Sequence, residues 1–168
     1  MKQFKLSLMM SAIIFCFHLS AIAQQNLPEI VVRAVRYKYL SAVDHKDLAQ
    51  PVKILERRAA AYDIKSTDYY EEDYDTYFVS FYLPEGTILA SYDKNGKLLS
   101  TAEKYNDISL PIAVRTAILD RFPNWTVTKD VYRVDYHEAR NVNKVYKVLL
   151  ENGDKRMRVN IDEAGNFK

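Results

Sequence analysis

Apolar residues recur at helical spacing in two stretches of the chain. The first stripe lies at positions i, i+4, i+7, i+11 and i+14 and consists of Leu48, Val52, Leu55, Ala59 and Tyr62, whereas Lys53, Glu56 and Arg57 fall away from it. The second consists of Leu110, Val114, Ala117, Ile118 and Phe122. Such spacing predicts amphipathic helices. We expect one to begin at Asp47 or Gln50, with Pro51 in its first turn, and the other to span Pro111–Phe122.

Alternating and β-branched runs predict six strands after the first helix. The last one, from Arg156 to Ile161, alternates perfectly between polar and apolar residues, so one of its faces should be buried and the other wet. The strand from Trp125 to Tyr136 should be kinked near Lys129-Asp130, where its alternation slips. The other expected strands are 77–83, 87–92, 97–101 and 145–150, joined by turns at Pro84-Glu85-Gly86, Asp93–Gly96 and Glu151–Asp154.

The segment from Ile30 to Leu40 allows two interpretations. Its content of Val and Tyr favours a strand. However, the pattern Leu27-Pro28-x-x-Val31-x-x-Ala34 repeats that of Leu110-Pro111-x-x-Val114-x-x-Ala117, where a helix is predicted. Whether residues 27–40 form a strand or a helix stays open, and the strand is the favoured expectation.

These elements predict an α+β fold in which helices pack on one face of an antiparallel sheet. The chain also suggests a tandem repeat of a helix plus a β-meander. Both helical stripes run eleven residues from proline to aromatic residue (Pro51 to Tyr62, Pro111 to Phe122), and Tyr77 and Tyr146 each precede an Asp-x-x-Gly turn by the same distance. The two repeats would cover about residues 24–104 and 105–168.

The first 23 residues have the build of a secretory signal peptide. Lys2 and Lys5 precede an apolar run, and Ala21-Ile22-Ala23 offers small residues at a cleavage site. The run is too short for a membrane span, and no later stretch reads as a second one. We expect cleavage after Ala23, no lipid-anchoring cysteine, a location in the periplasm or outside the cell, and a single domain over residues 24–168.

Charge and cysteine content narrow the function classes. Removing Lys2 and Lys5 with the leader leaves 22 basic against 22 acidic residues, and the one cysteine, Cys16, also lies in the leader. A neutral domain has no general field for nucleic acid or anionic membrane. Without cysteine it has no disulfide, thiolate nucleophile or cysteine metal site.

No catalytic motif is present, so the expectation is a protein that is not an enzyme and holds no cofactor. His45 and His137 are far apart in sequence, and surface positions are a simpler explanation for them than a metal site. The acidic connector 67–76 has no calcium-loop spacing, and the turns at Asp93 and Asp162 lack the glutamate that such a loop needs. We therefore expect no metal site.

The chain holds 13 tyrosines, all after residue 23. Tyrosine supplies rigid, amphipathic contact area. Tyr77 alternates with Phe78 and Tyr82, so either Tyr77 or those two should point away from the helices. The candidate partner-binding residues are Tyr69, Tyr70, Tyr74, Tyr82, Arg156 and Arg158.

Several short motifs resemble the PepSY-like family, also described as β-lactamase-inhibitor-like. They are Ser109-Leu110-Pro111-x-x-Val114-x-x-Ala117-Ile118, Phe122-Pro123-Asn124-Trp125, Tyr146-x-Val148-x-Leu150, Ile161-Asp162-x-x-Gly165, Phe81-Tyr82-x-Pro84-Glu85-Gly86 and Tyr92-Asp93-x-x-Gly96-Lys97-Leu98-Leu99. The resemblance covers most of residues 48–168, not 24–47. It implies a small exported protein, most like those of Bacteroidota, without catalytic residues, with inhibitor relatives that grip enzymes through the sheet. Some relatives carry nucleotide-adenylyltransferase labels, and the absence of His-x-Gly-His from this chain argues against that activity.

Together these features predict a non-catalytic exported binding module, inhibitor-like or protein-interacting, that uses the open sheet face. Its partner would be an unknown envelope or extracellular protein. A structural envelope protein without a dedicated ligand is the alternative, and a small-molecule or metal binder is the third.

Overall fold

The computed structural model of this protein describes residues 34–168, with side chains from residue 37 onward. The expected signal peptide and cleavage site, and residues 27–33 of the ambiguous segment, lie outside the described residues. Those expectations therefore stay predictions.

Three helices and six strands make up the described chain. The helices are α1 (Ala34–Val43), α2 (Gln50–Ala61) and α3 (Ile112–Arg121), and a 3-10 turn spans Ile64–Ser66. The strands are β1 (Thr76–Leu83), β2 (Gly86–Asp93), β3 (Leu98–Asn106), β4 (Thr126–His137), β5 (Asn143–Asn152) and β6 (Lys155–Ile161). The two stripes of apolar residues and the alternating runs therefore correspond to α2, α3 and the six strands.

The six strands form one antiparallel sheet in sequence order, β1-β2-β3-β4-β5-β6. The helices pack on one face of it, and the core lies between the two layers. Val52, Leu55 and Ala59 of α2 and Val114 and Ile118 of α3 are fully or almost fully buried there. The predicted α+β class is confirmed.

The favoured strand over residues 30–40 is wrong for its described part, because residues 34–43 are helical. The reason is tertiary packing. Tyr39 and Val43, four residues apart, lie on one side of α1 and are almost completely buried. The Tyr39 hydroxyl donates to Glu103 Oε1 at 2.7 Å, and its ring meets that of Tyr136 edge-on. This burial outweighs the weak strand preference of Val and Tyr.

A row of large side chains crosses the helix-facing side of the sheet. Cross-strand pairing aligns Gly86, Tyr105, Tyr132, Tyr146 and Ile161 on neighbouring strands. The ring centroids of Tyr105 and Tyr132 lie 6.0 Å apart, and those of Tyr132 and Tyr146 lie 4.3 Å apart. Much of the tyrosine content therefore serves the core.

The tandem repeat is not confirmed as a whole. Its two turns do match, since Asp93 accepts from the backbone of Asn95 and Lys97 and Asp162 accepts from that of Ala164 and Asn166. However, Tyr77 lies in the first strand after its helix and Tyr146 in the second strand after α3. The longer linker of the second half contains the additional strand β4.

The pairing of β4 with β5 shifts register between Val127 and Lys129, which confirms the predicted kink in β4. A shift of this kind adds a residue to one strand and bends it. It places the side chain of Lys129 opposite Leu149, on the side of the sheet that faces away from the helices.

Candidate functional site: the open face of the sheet

The side of the sheet that faces away from the helices is its open face. Because paired residues of antiparallel strands point to the same side, the register defines its members. Phe78 pairs with Ser91, Ser80 with Leu89, and Tyr82 with Thr87. Tyr77 is buried on the helix side, so Phe78 and Tyr82 are the aromatic residues that point away from the helices.

Strands β1 and β2 give the open face an apolar end, here named the aromatic patch. Phe78 is 73% exposed, Tyr82 66% and Leu89 45%. Phe78 and Tyr82 are four residues apart on one strand, about 13 Å along it, and Leu89 lies between them on β2. A cluster of exposed large side chains rimmed by polar residues is typical of interaction sites.

The other end of the open face is basic. A groove of about 260 Å³ at β4, β5 and β6 is lined by Lys129, Lys147 and Arg158 beside the apolar Val131 and Leu149. We name it the basic groove. Arg158 pairs across the strands with Leu149, and Lys147 pairs with Asn160. An anionic group of a ligand could therefore meet cationic side chains over an apolar floor here.

Charge on the open face is strongly biased although the chain as a whole is nearly neutral. The register places six basic side chains on it, namely Lys104, Lys129, Arg133, Lys147, Arg156 and Arg158, and three acidic ones, Asp93, Asp135 and Glu151. Arg156 already binds Glu151, with Nε 2.9 Å from Oε1. The remaining excess of positive charge faces solvent.

The predicted binding residues fall into two groups. Tyr82, Arg156 and Arg158 lie on the open face and are exposed. Tyr69, Tyr70 and Tyr74 lie in the connector that precedes β1. The ring of Tyr70 stacks on Tyr77 at 5.5 Å, and that of Tyr74 meets Tyr77 edge-on at 6.2 Å.

Because Tyr77 belongs to the helix side, the connector tyrosines do not extend the open face. Tyr70 is half-buried, and its hydroxyl donates to the Lys94 carbonyl at 3.0 Å. The hydroxyl of Tyr69 contacts that of Tyr62. Tyr70 packs against the end of the core at β1, whereas Tyr69 and Tyr74 are more than half exposed. Of the predicted residues, Tyr82, Arg156 and Arg158 share one candidate surface, and the connector tyrosines lie apart from it.

A cluster of buried polar side chains lies under the helices, and the pattern analysis missed it. Glu103 accepts hydrogen bonds from the hydroxyls of Tyr39 (2.7 Å), Thr101 (2.7 Å) and Tyr105 (2.9 Å). Glu56, expected to fall away from the apolar stripe of α2, is 1% exposed. The signal that could have found Glu103 is the alternation of Thr101, Glu103 and Tyr105 along β3.

Burial changes the protonation of this cluster. Desolvation, reinforced by the charge of Glu103, raises the pKa of Glu56 to about 9, so its carboxyl is neutral at pH 7. Desolvation also raises the pKa of Glu103, which its hydroxyl donors oppose, and raises the pKa of Tyr105 and Tyr132 well above the usual value. Since these groups are enclosed by the helices, we assign them to the stability of the fold.

His45 and His137, the two histidines after residue 23, have different neighbours. His45 Nε2 lies 3.8 Å from Glu163 Oε2, and His137 accepts from the backbone of Ala139. Among the described residues, no group of three or more His, Cys, Asp or Glu side chains is arranged to hold a metal ion. Within residues 34–168, no helix has both the length and the apolar character needed to cross a membrane.

A comparison with solved structures found a similar protein. No family model matches the chain, and no curated protein matches it. A crystal structure of a BLIP-like protein from Bacteroides fragilis NCTC 9343 is 25% identical over 58% of this chain and 68% of that one, with a TM-score of 0.35. At that TM-score, the function has to be argued from the residues of this chain.

Proposed function

We propose that this protein is a non-catalytic binding module that engages an acidic protein partner through the open face of its sheet. The observation that carries the proposal is the presence, on one surface, of the aromatic patch and the basic groove. The signal peptide predicted at residues 1–23 supports a partner in the cell envelope or outside the cell.

The aromatic patch supplies anchors for a protein interface. Interfaces are enriched in aromatic residues and Arg, and a few buried aromatic side chains carry much of the binding free energy. The rings of Phe78 and Tyr82 stand exposed on a strand whose backbone is held by β2. Ordering them against a partner therefore costs little conformational entropy.

The basic groove supplies the charge that selects the partner. Lys129, Lys147 and Arg158 attract carboxylates, accelerate encounter and disfavour basic partners. Charge on the rim of an interface acts mainly through the association rate and its dependence on salt.

The dimensions of the open face favour a folded partner over a single extended peptide. Six strands spaced about 4.8 Å apart place β1 roughly 24 Å from β6. One strand of a peptide is much narrower than that distance. A folded domain of ordinary interface size reaches both the aromatic patch and the basic groove.

Affinity capture with a face-directed variant tests the proposal. Residues 24–168 are immobilised, an envelope extract of the source organism is passed over them, and the retained proteins are identified by mass spectrometry. We expect one saturable partner that free protein displaces. Replacing Tyr82 and Arg158 together by alanine should weaken its capture while the melting temperature stays close to that of the parent, because both side chains are exposed.

Two results would contradict the proposal. One is capture that the double replacement leaves unchanged. The other is the absence of any saturable partner, which would favour the structural envelope protein. A matched control replaces Arg57 of α2 and Arg115 of α3, which are exposed on the helical layer, and should leave capture intact.

A further inference from the structure

Strand β1 forms one edge of the sheet, and its sequence offers no protection against pairing. Its eight residues, Thr-Tyr-Phe-Val-Ser-Phe-Tyr-Leu, include no charge, proline or glycine. It pairs with β2 without a bulge, and among the described residues no strand pairs with its outer side. Protein sheets normally protect such edges with charges, proline or bulges.

The opposite edge is protected in the expected way. Strand β6 begins with Lys155 and Arg156 and carries Arg158. The C-terminal residues cover its far end, where Phe167 bridges to Ile161 and the Lys168 N–H donates to the Asn160 carbonyl at 2.9 Å. Of the two edge strands, β1 is therefore the one that lacks protection against pairing.

The hairpin between β1 and β2 shows which backbone groups of β1 are free. Leu83 pairs with Gly86 across a two-residue turn, and the closing pair of such a hairpin exchanges both of its hydrogen bonds. Alternate residues of β1, counted back from Leu83, therefore direct their backbone groups towards β2. The residues between them, Phe78, Ser80 and Tyr82, direct their N–H and C=O groups outward.

These outward groups are complementary to those of a second β1. If two β1 strands run antiparallel with Ser80 opposite Ser80, Phe78 of each falls opposite Tyr82 of the other. About six N–H to C=O hydrogen bonds then form between the three outward pairs. Cross-strand aromatic pairs of this kind stabilise sheets.

The same register suits both faces of the sheet. It keeps the two open faces on one side, where each Phe78 covers a Tyr82. On the helix side it places Val79 opposite Phe81, and both are only half-buried within one copy. A shift by one residue would set open-face side chains against helix-side ones. A shift by two would keep the faces matched but would no longer set each Phe78 opposite a Tyr82, so the Ser80-centred register pairs the most aromatic surface.

We infer that β1 is the interface of a two-fold symmetric dimer, in which it pairs with β1 of a second copy through Ser80 and joins the two sheets edge to edge. Within residues 34–168 each copy has one unprotected edge, and because the pairing uses it, assembly stops at two. The inference concerns the edge of β1 and does not depend on the basic groove.

The interface is small, which predicts a reversible dimer. A strand of eight residues is about 27 Å long. With two exposed rings from each copy, the buried area lies near the lower limit of about 1,000 Å² for specific interfaces. We therefore expect dissociation in the micromolar range.

Introducing a charge at the centre of the interface tests whether the dimer forms there. Sedimentation of the purified protein should show a dimer at about 100 µM that dissociates on dilution. Ser80→Lys places two like charges opposite each other and should leave only monomer. Leu89→Lys is the matched control, because it adds the same charge to the same face, one strand inward, and should leave the dimer intact.

Ser80→Pro tests the hydrogen bonds themselves. The Ser80 N–H points outward, so proline there removes no bond to β2 and is tolerated at an edge. It should abolish the dimer at unchanged melting temperature. A melting temperature that falls sharply would show instead that the Ser80 N–H bonds to β2, which would overturn the assigned register.

Cross-linking tests the register directly. In a Cys16→Ser background, Ser80→Cys supplies one thiol per chain. Paired Cα atoms across antiparallel strands lie within the range that a disulfide spans, so oxidation should give a covalent dimer. The same replacement at Leu89 should give none.

Several outcomes would overturn the inference. They are a monomer at every concentration, a dimer that Ser80→Lys does not affect, or open-ended polymers. Partner capture by the monomeric Ser80→Pro variant, which adds no charge to the aromatic patch, separates this test from that of the open face.

Discussion

The ring of Tyr105 occupies the space that a side chain on Gly86 would need. The two residues pair across β2 and β3, and a Cβ on Gly86 would lie against Cδ1 and Cε1 of that ring and 3.0 Å from the Lys104 carbonyl oxygen. Gly86 therefore begins the row of stacked tyrosines that crosses the helix side of the sheet. Its function is to leave room, since its backbone conformation is not left-handed.

Gly86→Ala should destabilise the protein by about 1–3 kcal/mol, the usual cost of overpacking a core. The ring of Tyr105 has to move, and it is stacked on Tyr132 and hydrogen-bonded to Glu103. Urea unfolding measures the change. In a Tyr105→Leu background the same replacement should cost clearly less, and equal costs in both backgrounds would show that the ring is not the obstacle.

Glu103→Gln should destabilise the fold although it preserves the size of the side chain. The Glu103 carboxyl accepts three buried hydroxyl hydrogen bonds, and an amide has one acceptor oxygen fewer. Loss of a hydrogen bond to a buried carboxylate costs about 1.5–3 kcal/mol of folding stability. Unfolding in urea, with Lys104→Gln as the exposed neighbouring control, tests this, and a loss no larger than that of the control would contradict it.

Stability should fall as pH rises from about 5 to 9. The pKa of Glu56 is about 9 in the folded protein because burial disfavours its charged form, whereas an unfolded Glu titrates near 4.3. Between these values the folded state binds more protons than the unfolded state, so raising the pH favours unfolding. Burial also raises the pKa of Asp130, to about 6. Asp130 therefore adds a smaller loss of stability in the acidic part of this pH range.

Glu56→Gln isolates this contribution, since glutamine resembles the neutral acid at every pH. Melting temperatures from pH 5 to 9 should decline less in Glu56→Gln than in the parent. The exposed Glu72→Gln should retain the parent slope. If Glu56→Gln kept the full slope, Glu56 would not be the titrating group.

Periodicity alone predicted α2, α3 and the strand pattern, because residues such as Val52 and Leu55 face the core at regular spacing. It failed at α1, where Val and Tyr content favoured a strand. The segment is helical because a helix buries Tyr39 and Val43 together. The contacts that bury Tyr39 are made by Glu103 and Tyr136, more than 60 positions away in the sequence. No local pattern contains that information.

Polar residues of the core were the second source of error. Glu56 and Glu103 look like surface residues, so the buried cluster was missed and β3 was expected to end at Thr101 rather than Asn106. Of the candidate residues, Tyr82, Arg156 and Arg158 share the open face, and their role in binding a partner stays a prediction. Tyr69, Tyr70 and Tyr74 were candidates because they are aromatic residues of a predicted surface connector. The contacts of Tyr70 and Tyr74 with Tyr77 place them beside the helix side of β1, a position that no local pattern reveals.

The most direct test of the central claim is a charge reversal on each side of the molecule, measured against the same captured partner. Lys147→Glu with Arg158→Glu reverses the basic groove, and Arg57→Glu with Arg115→Glu makes the same change of charge on the helical layer. The open-face account predicts that the first pair lowers partner affinity at least tenfold, with a smaller difference at high salt, and that the second leaves it within a factor of two. Equal losses from both pairs, or a loss from the helical pair alone, would contradict it.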